Sequence, residues 1–390
     1  MLSKNLFMCF KKDGSVPMEE NGRVQLKKER KGFCRKLRDW FDWKRRARKQ
    51  EGKNFIGDNG PVKKDIERVY CSDMVEAKLK NYSMINVIGQ GAYGKVLLAE
   101  SKATKELYAL KVIQKNPLKP QKTFDRFRIE KEILETSRNN PFIVKFHSSF
   151  ETPSKYIFAL EYVNGGDLRR FMRKTGKLSE DSAKFYLSEI IVGLNFLHSM
   201  GIAHRDLKPE NVLIDKDGHI RITDFGLSKI GLNGNKKTRS LCGTPAYLAP
   251  EMIWCKGYGF SVDFYALGII MYEMLTGNEA FVYAQEQRRT LCQRLFGKRK
   301  TMGITSISEE ASAVLKGFLQ KNPKKRLGCH PQSGFKQMVS MPFFKAIDWE
   351  LLKAKKVIPP YKPSLSGRTD ISNFNSKFRA QEPILTSESQ

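Results

Sequence analysis

From Tyr82 to Ile88 the residues read as a β-strand, and Gly89-Gln90-Gly91-Ala92-Tyr93-Gly94 follows directly, before a second strand-like run, Lys95-Val96-Leu97-Leu98-Ala99. Glycines at this spacing let backbone N–H groups approach phosphate oxygens, because no Cβ intervenes. The same three glycines before a helix would indicate a dinucleotide fold, but the run after Gly94 favours a strand. On its own the segment is equally a tight hairpin with no ligand.

The next strand-like run, Leu107-Tyr108-Ala109-Leu110-Lys111-Val112-Ile113, sets one lysine among apolar residues. A buried charge there needs a partner; a lysine at a solvent-facing edge does not. The stretch Phe124 to Ser137 reads as a helix with Phe127, Ile129, Ile133 and Leu134 as its apolar residues, and it offers Glu130 as that partner.

Further along stand His204-Arg205-Asp206-Leu207-Lys208-Pro209-Glu210-Asn211, then Asp224-Phe225-Gly226 and Ala249-Pro250-Glu251. Lys111 lies 22 residues after Gly89, Glu130 19 after Lys111, and Asp224 18 after Asp206. This ordered set resembles the protein-kinase signature. Glu161-Tyr162-Val163-Asn164-Gly165-Gly166-Asp167-Leu168, Leu241-Cys242-Gly243-Thr244-Pro245, Lys325-Arg326-Leu327-Gly328 and Asn373-Phe374 narrow the resemblance to the AGC group, which includes the cyclic-nucleotide-dependent and phospholipid-dependent kinases.

The resemblance implies an α+β bilobal protein-kinase fold. A small antiparallel β lobe with one main helix (82–163) and a larger, mostly helical lobe (164–344) would make up the kinase domain, followed by an AGC-type C-terminal tail (345–390). ATP and Mg²⁺ are the implied cofactors, and Ser/Thr in proteins the implied acceptor. ATP would meet Ile88, Gly89, Gln90, Gly91, Ala92, Tyr93, Gly94, Lys95 and Val96 of the glycine-rich segment. Ala109, the hinge residues Glu161 and Val163, and Phe374 of the tail would complete its site, with Lys111 on the α- and β-phosphates and Glu130 orienting it. Asn211 and Asp224 would hold Mg²⁺, since amide and carboxylate oxygens suit a hard cation. Asp206 would accept the proton of the substrate hydroxyl, and Lys208 would steady the γ-phosphate.

Asp167, Glu210 and Glu273 match acidic positions that meet arginines N-terminal to the target residue in basophilic relatives, the alternative being ordinary surface acids. Ser240 falls at the activating-phosphate position of the loop, with Arg205 its expected partner and an upstream kinase its expected source, and Thr386 falls in a turn-motif position. Glu251 and Arg326 match a buried pair.

The pattern departs in places. Tyr93 stands for the usual Phe, Phe264 for the usual Trp, and Ala246 for a common acid, while Gly231 to Asn235 reads as a flexible polar insertion. No aromatic hydrophobic motif follows Thr386, so another protein or a different arrangement is expected to hold the helix bearing Glu130.

Charge concerns the surroundings of this chemistry. The chain has 390 residues, with 70 Lys+Arg against 41 Asp+Glu, a formal net charge of +29. Residues 27–49 alone hold 12 basic and 3 acidic residues. On a helix Phe33, Leu37, Trp40 and Phe41 would form one stripe, which suits an anionic membrane surface or a calmodulin-like partner. A disordered basic tail or an import signal at Lys44 to Lys49 is the plainer reading of this 1–81 extension. Specific nucleic-acid binding is not expected, because no such module is recognisable. The N-terminus has no apolar core of signal-peptide length, the run Phe264 to Tyr272 falls far short of the roughly 20 residues that cross a bilayer, and the seven cysteines are scattered. The expected location is the cytoplasm, with the nucleus or a peripheral membrane position left open. A catalytically weak kinase-fold scaffold is the alternative function.

Overall fold

The computed structural model describes residues 79–91, 94–232, 236–278, 307–330 and 333–384. The chain divides into two units, Met1–Pro61 and Val62–Gln390, and every described residue belongs to the second. Residues 27–49, Ala92, Tyr93 and Thr386 lie outside the described residues.

The first lobe is an antiparallel sheet of β1 (Tyr82–Gly91), β2 (Gly94–Ser101), β3 (Leu107–Gln114), β4 (Phe146–Glu151) and β5 (Lys155–Glu161), in the order β1-β2-β3-β5-β4. Gly91 pairs with Gly94, so the glycine-rich segment turns a hairpin and no helix follows. At Gly94 (φ +157) a Cβ would run into the carbonyl of Val112 on β3. Glycine is required there by crowding.

Alternation along β3 sorts its side chains between two faces. Tyr108, Leu110 and Val112 enter a core with Val87, Leu97, Ala99, Phe150, Ile157 and Ala159. Lys111, of opposite parity, pairs in register with Val96 on β2 and Phe158 on β5. The helix α1 (Pro120–Thr136) covers that second face and starts four residues before the expected Phe124, with Pro120 in its first turn. Proline is accepted there because its missing N–H has no helical partner anyway.

The second lobe is built on α2 (Leu168–Thr175), α3 (Glu180–Ser199), α4 (Pro250–Ile253), α5 (Ser261–Thr276) and α6 (Glu309–Phe318). Ser179 caps α3 by accepting from the Ser182 N–H, and Glu180 and Asp181 occupy its positive end. The helix α5 is apolar around most of its circumference and almost wholly buried, which makes it the axis of the lobe. A short two-stranded ribbon pairs β6 (Val212–Ile214) with β7 (Ile220–Ile222) between α3 and α4 in the chain, and α7 (Gly334–Val339) and α8 (Trp349–Lys353) come after α6. Leu232 is 3 % exposed, and its N–H donates to the Gly201 carbonyl. The segment expected to be a flexible polar insertion is therefore anchored at this residue by an apolar side chain.

The chain then returns to the first lobe. In α9 (Ser376–Arg379) Phe378 packs on the sheet core beside Leu79, Tyr82 and Met84. Among the described residues, no helix is long and apolar enough to cross a membrane.

Among the described residues the largest fully buried side chain is Arg326, 1 % exposed. Its guanidinium meets Glu251 through two parallel bonds of 2.5 and 2.9 Å, donates to the carbonyls of Ser261 at 2.7 Å and Gln320 at 2.9 Å, and lies over the Tyr265 ring. Arg326→Met should lower unfolding stability by about 3–5 kcal/mol, because it strands the buried Glu251 carboxylate. Thermal melting checks this, and an unchanged midpoint would contradict it.

Candidate functional site

Lys111 stands at the junction of the two lobes. Its ammonium donates to Glu130 on α1 at 2.6 Å and to Asp224, beyond β7, at 2.7 Å. Burial disfavours the charge, but the carboxylates of Asp224 and Glu130 outweigh it and raise the lysine pKa. The Lys111 charge in turn holds Asp224 down to about 2, against the cost of burial. Glu130 is raised, because burial outweighs the same lysine. Asp224 is thus ionised at neutral pH with its side chain 44 % exposed, a carboxylate open toward the cleft.

What fixes Glu130 is one helical turn away. Phe127 stacks on Tyr156 of β5 (4.4 Å between centroids, 14° between planes) and leans on Phe158 at 4.9 Å. These rings seat α1 on the sheet face that also carries Lys111.

The loop before β6 carries the polar cluster. Asp206 accepts from Thr244 Oγ1 at 2.7 Å and from Lys208 Nζ at 3.2 Å, and Lys208 also donates to Thr244 Oγ1 at 3.1 Å. Asn211 donates its amide N–H to the Asp206 carbonyl at 2.9 Å, which leaves the amide oxygen as the acceptor end of the group. Val212 pairs with Ile222, and the Thr223 N–H donates to the Asn211 carbonyl at 3.0 Å, so the short ribbon brings Asn211 beside Asp224.

Two residues of this site hold left-handed backbone, Arg205 (φ +66) and Asp224 (φ +67). Such conformations cost about 1–3 kcal/mol each and persist where neighbours over-determine them. At Arg205 the determinant is Asp263 of α5, 1 % exposed. Its carboxylate accepts the backbone N–H of His204 at 2.9 Å and of Arg205 at 2.8 Å, and bonds His198 Nε2 at 2.9 Å. Burial would raise its pKa, yet these hydrogen bonds and the nearby histidines bring it below the ordinary value. Gly243 (φ +99) closes the other side, where a Cβ would sit 2.6 Å from the Arg205 carbonyl.

The remaining expected positions fall around this centre. Gly89, Gln90, Gly91, Gly94, Lys95 and Val96 lie on the β1–β2 hairpin and Ile88 is buried beside them, while Ala109 shares the Lys111 face of β3. Val163 is buried at the link between lobes, and the Glu161 carboxylate accepts from Arg221 of β7 at 3.1 Å. Phe374 stacks on Tyr162 at 5.9 Å, Tyr162 donates to the Asp370 carbonyl, and Gln381 donates to Gln90 of the hairpin at 2.9 Å. The tail thus touches both the link and the glycine-rich turn.

The three expected substrate acids differ. Asp167 caps α2 by accepting the Arg170 N–H at 2.8 Å, and Glu210 keeps its side chain 44 % exposed beside Arg169. Glu273 is buried, bonded by Arg169 at 3.0 Å and by Tyr247 at 2.8 Å, so it is neither a surface acid nor an open contact. Ser240 Oγ accepts from Arg205 Nη1 at 2.8 Å, and the Arg205 side chain is itself held by the Leu227 and Ser228 carbonyls.

Thr244 and Asp263 have no assigned role in the motif reading. Thr244 stood within Leu241 to Pro245, and its polar side chain was the available signal. Asp263 gave none, being one acid in an apolar helix.

Among the described residues no cluster of three or more His, Cys, Asp or Glu could cage a metal ion. A carboxylate and an amide oxygen fit instead a cation shared with phosphates, the usual habit of Mg²⁺.

Residues 82–344 match the family model described as protein kinase domain. The chain is 46 % identical over 316 residues to atypical protein kinase C of Drosophila melanogaster, covering 79 % of this chain and 52 % of the relative. It is 41 % identical over 345 residues to protein kinase C zeta type of Oryctolagus cuniculus, covering 87 % of this chain and 58 % of the relative. It is also 41 % identical over 308 residues to protein kinase C eta type of Mus musculus, covering 79 % of this chain and 45 % of the relative. The chain spans about half the length of the curated relatives it matches.

The Asp263 geometry yields a stability test. A depressed carboxylate pKa contributes stability above about 3.8 and loses it as pH falls through the folded value. Asp263→Asn should cost about 1–3 kcal/mol at pH 7, because one of the two buried N–H donors, of His204 or Arg205, then faces an amide NH₂ instead of a carboxylate oxygen. The gap from the unaltered protein should narrow below pH 4 in denaturant titrations. Equal stability at pH 7, or a gap that widens on acidification, would contradict this.

Proposed function

The chain belongs to the protein kinase domain family, among the AGC-group relatives of protein kinase C, and on that premise we propose that it is an ATP- and Mg²⁺-dependent serine/threonine protein kinase. The observation that carries the proposal is the Lys111 ion-pair cluster joining both lobes beside an Asp206 already oriented by Lys208 and Thr244. Phosphoryl transfer passes through a loose transition state whose charge is spread over oxygens, so catalysis rests on positioning and charge neutralisation.

Each side chain has a part in that account. Lys111, oriented by Glu130, holds the α- and β-phosphates, while the hairpin backbone covers them and Ile88, Val96, Ala109 and Val163 enclose the base. Asp224 and the amide oxygen of Asn211 would hold Mg²⁺, which would supply neutralisation of phosphate charge. Asp206 accepts the proton from the attacking hydroxyl, and Lys208, bonded to Asp206 and Thr244, is the cation that would steady the γ-phosphate. Lys208 two residues after Asp206 is the serine/threonine pattern.

Substrates are proposed to be proteins with basic residues before the target. Glu210 is the most open of the three acids for such a guanidinium, with Asp167 near it through Arg169. Glu273 would act through Arg169 unless that arginine is displaced. Phosphorylation of Ser240 is proposed to activate the enzyme: a phosphate there brings about −2 charge against Arg205, the neighbour of Asp206. The proposed location is the cytoplasm, with the basic 27–49 segment offering an anionic membrane or a calmodulin-like protein a contact.

Purified protein with radiolabelled ATP, Mg²⁺ and an arginine-containing serine peptide tests the reading. The expected result is incorporation that falls by at least about 10²-fold in Asp206→Asn and by most of its value in Ser240→Ala. Equal incorporation by the unaltered and Asp206→Asn proteins would leave a kinase-fold scaffold instead.

A further inference from the structure

Arg221 of β7 is 8 % exposed, and its guanidinium joins two acids from different lobes. Its Nε donates to the carboxylate of Glu161, the last residue of β5, at 3.1 Å, while Nη1 meets Asp215 at 3.1 Å and donates to the Ile220 carbonyl at 3.1 Å. Asp215 in turn meets the ammonium of Lys355 at 3.0 Å. The four groups form a row of alternating sign, so each buried charge has a neighbour of opposite charge to offset the loss of water. Resting on the kinase reading proposed above, we infer that Arg221 is a positioning residue for the base of the nucleotide: it grips the Glu161 carboxylate and so fixes the backbone that the base meets.

Arg221 stands on a firmly held part of the fold. The N–H of its neighbour Ile222 donates to the Phe142 carbonyl at 2.8 Å, and the Ile222 carbonyl accepts from the Val144 N–H at 3.0 Å. Asp215 accepts the N–H groups of Asp217 at 3.1 Å and His219 at 2.9 Å on the carboxylate oxygen that Arg221 does not use. Lys355 follows α8 with left-handed backbone (φ +55), at a position where glycine is the usual choice. Its ammonium reaches back to Asp215 and lies over the Phe142 ring, 5.7 Å from the centroid. A guanidinium anchored in this way holds its other partner, Glu161, in place.

Glu161 is tied through side chain and main chain together. Its carboxylate also accepts the Lys145 N–H at 3.2 Å, and its own N–H donates to the Lys145 carbonyl at 2.9 Å. A shift of the carboxylate is therefore a shift of the backbone at the link between lobes. Adenine presents an N–H donor at N6 where guanine presents an acceptor at O6. Backbone groups held at a fixed depth accept one pattern and reject the other, because the wrong base leaves a buried polar group unpaired. Arginine suits this task better than lysine, since its planar fork reaches both acids at once whereas an ammonium is a point charge.

Steady-state phosphorylation of an arginine-containing serine peptide, with ATP and with GTP, tests the inference on the full-length protein and on Arg221→Met, Arg221→Lys and Glu161→Met. The readout is the ratio of kcat/KM for ATP to that for GTP, because a loss of folded enzyme lowers both values and leaves their ratio alone. The unaltered protein should favour ATP. Arg221→Met should lower the ratio at least about tenfold through a raised KM for ATP, with kcat within about threefold, since small misplacements of a bound substrate cost up to about 10²-fold. Arg221→Lys should fall between the two. Arg221→Met combined with Glu161→Met should be no worse than Arg221→Met alone, because both changes remove one bond. An unaltered protein indifferent to the base, or a ratio unchanged in Arg221→Met, would overturn the inference and leave the kinase reading standing. If Arg221→Met does not fold, unchanged ratios in Arg221→Lys and Glu161→Met overturn it in the same way, as do effects that multiply in the double variant. No transfer from either nucleotide by the unaltered protein would overturn both.

Discussion

One ammonium group organises the cleft. Lys111 sits on the central strand of a five-stranded sheet, and its two carboxylate partners come from elements 19 and 113 residues away in sequence. Because burial penalises its charge and both acids restore it, the three groups are stable only together. Phe127, Tyr156 and Phe158 keep the helix where Glu130 can reach, and the strained backbone of Asp224 turns its carboxylate upward.

Two further buried charges anchor the large lobe. Asp263 accepts two consecutive backbone N–H groups and so imposes the unusual conformation that presents Asp206. Arg326 joins Glu251 of α4 to the segment after α6. Both sit where water is excluded, which is why their hydrogen bonds are geometrically complete. Arg205 lies between these anchors and the loop of Ser240, so a phosphate there would act on the residue adjoining Asp206.

Much of this was legible in sequence because it is local. His204 to Asn211 packs a proton acceptor, a cation and an amide into eight residues, and the β1–β2 hairpin follows from glycines meeting β-branched residues. The partners of those groups were less legible. Thr244 lies 38 residues from Asp206, and Asp263 lies 58 from Arg205, distances that only the fold closes. Glu273 reads as a substrate-facing acid until α5 is seen to be almost wholly buried. Leu232 reads as part of a polar insertion until Gly201 is found beneath it. The tail was legible as Phe374, whereas the contact of Phe378 with the sheet core depends on a return of the chain no local pattern encodes.

The central claim is that Asp224 belongs to a cation when nucleotide is bound and to Lys111 when it is not. Calorimetric titration of ATP with and without Mg²⁺, on the unaltered protein and on Asp224→Asn, addresses it directly. The account predicts that Mg²⁺ tightens ATP binding to the unaltered protein at least tenfold and has little effect on the variant, whose amide no longer repels the triphosphate. Equal ATP affinity with and without Mg²⁺ in the unaltered protein, or an undiminished Mg²⁺ effect in the variant, would contradict it.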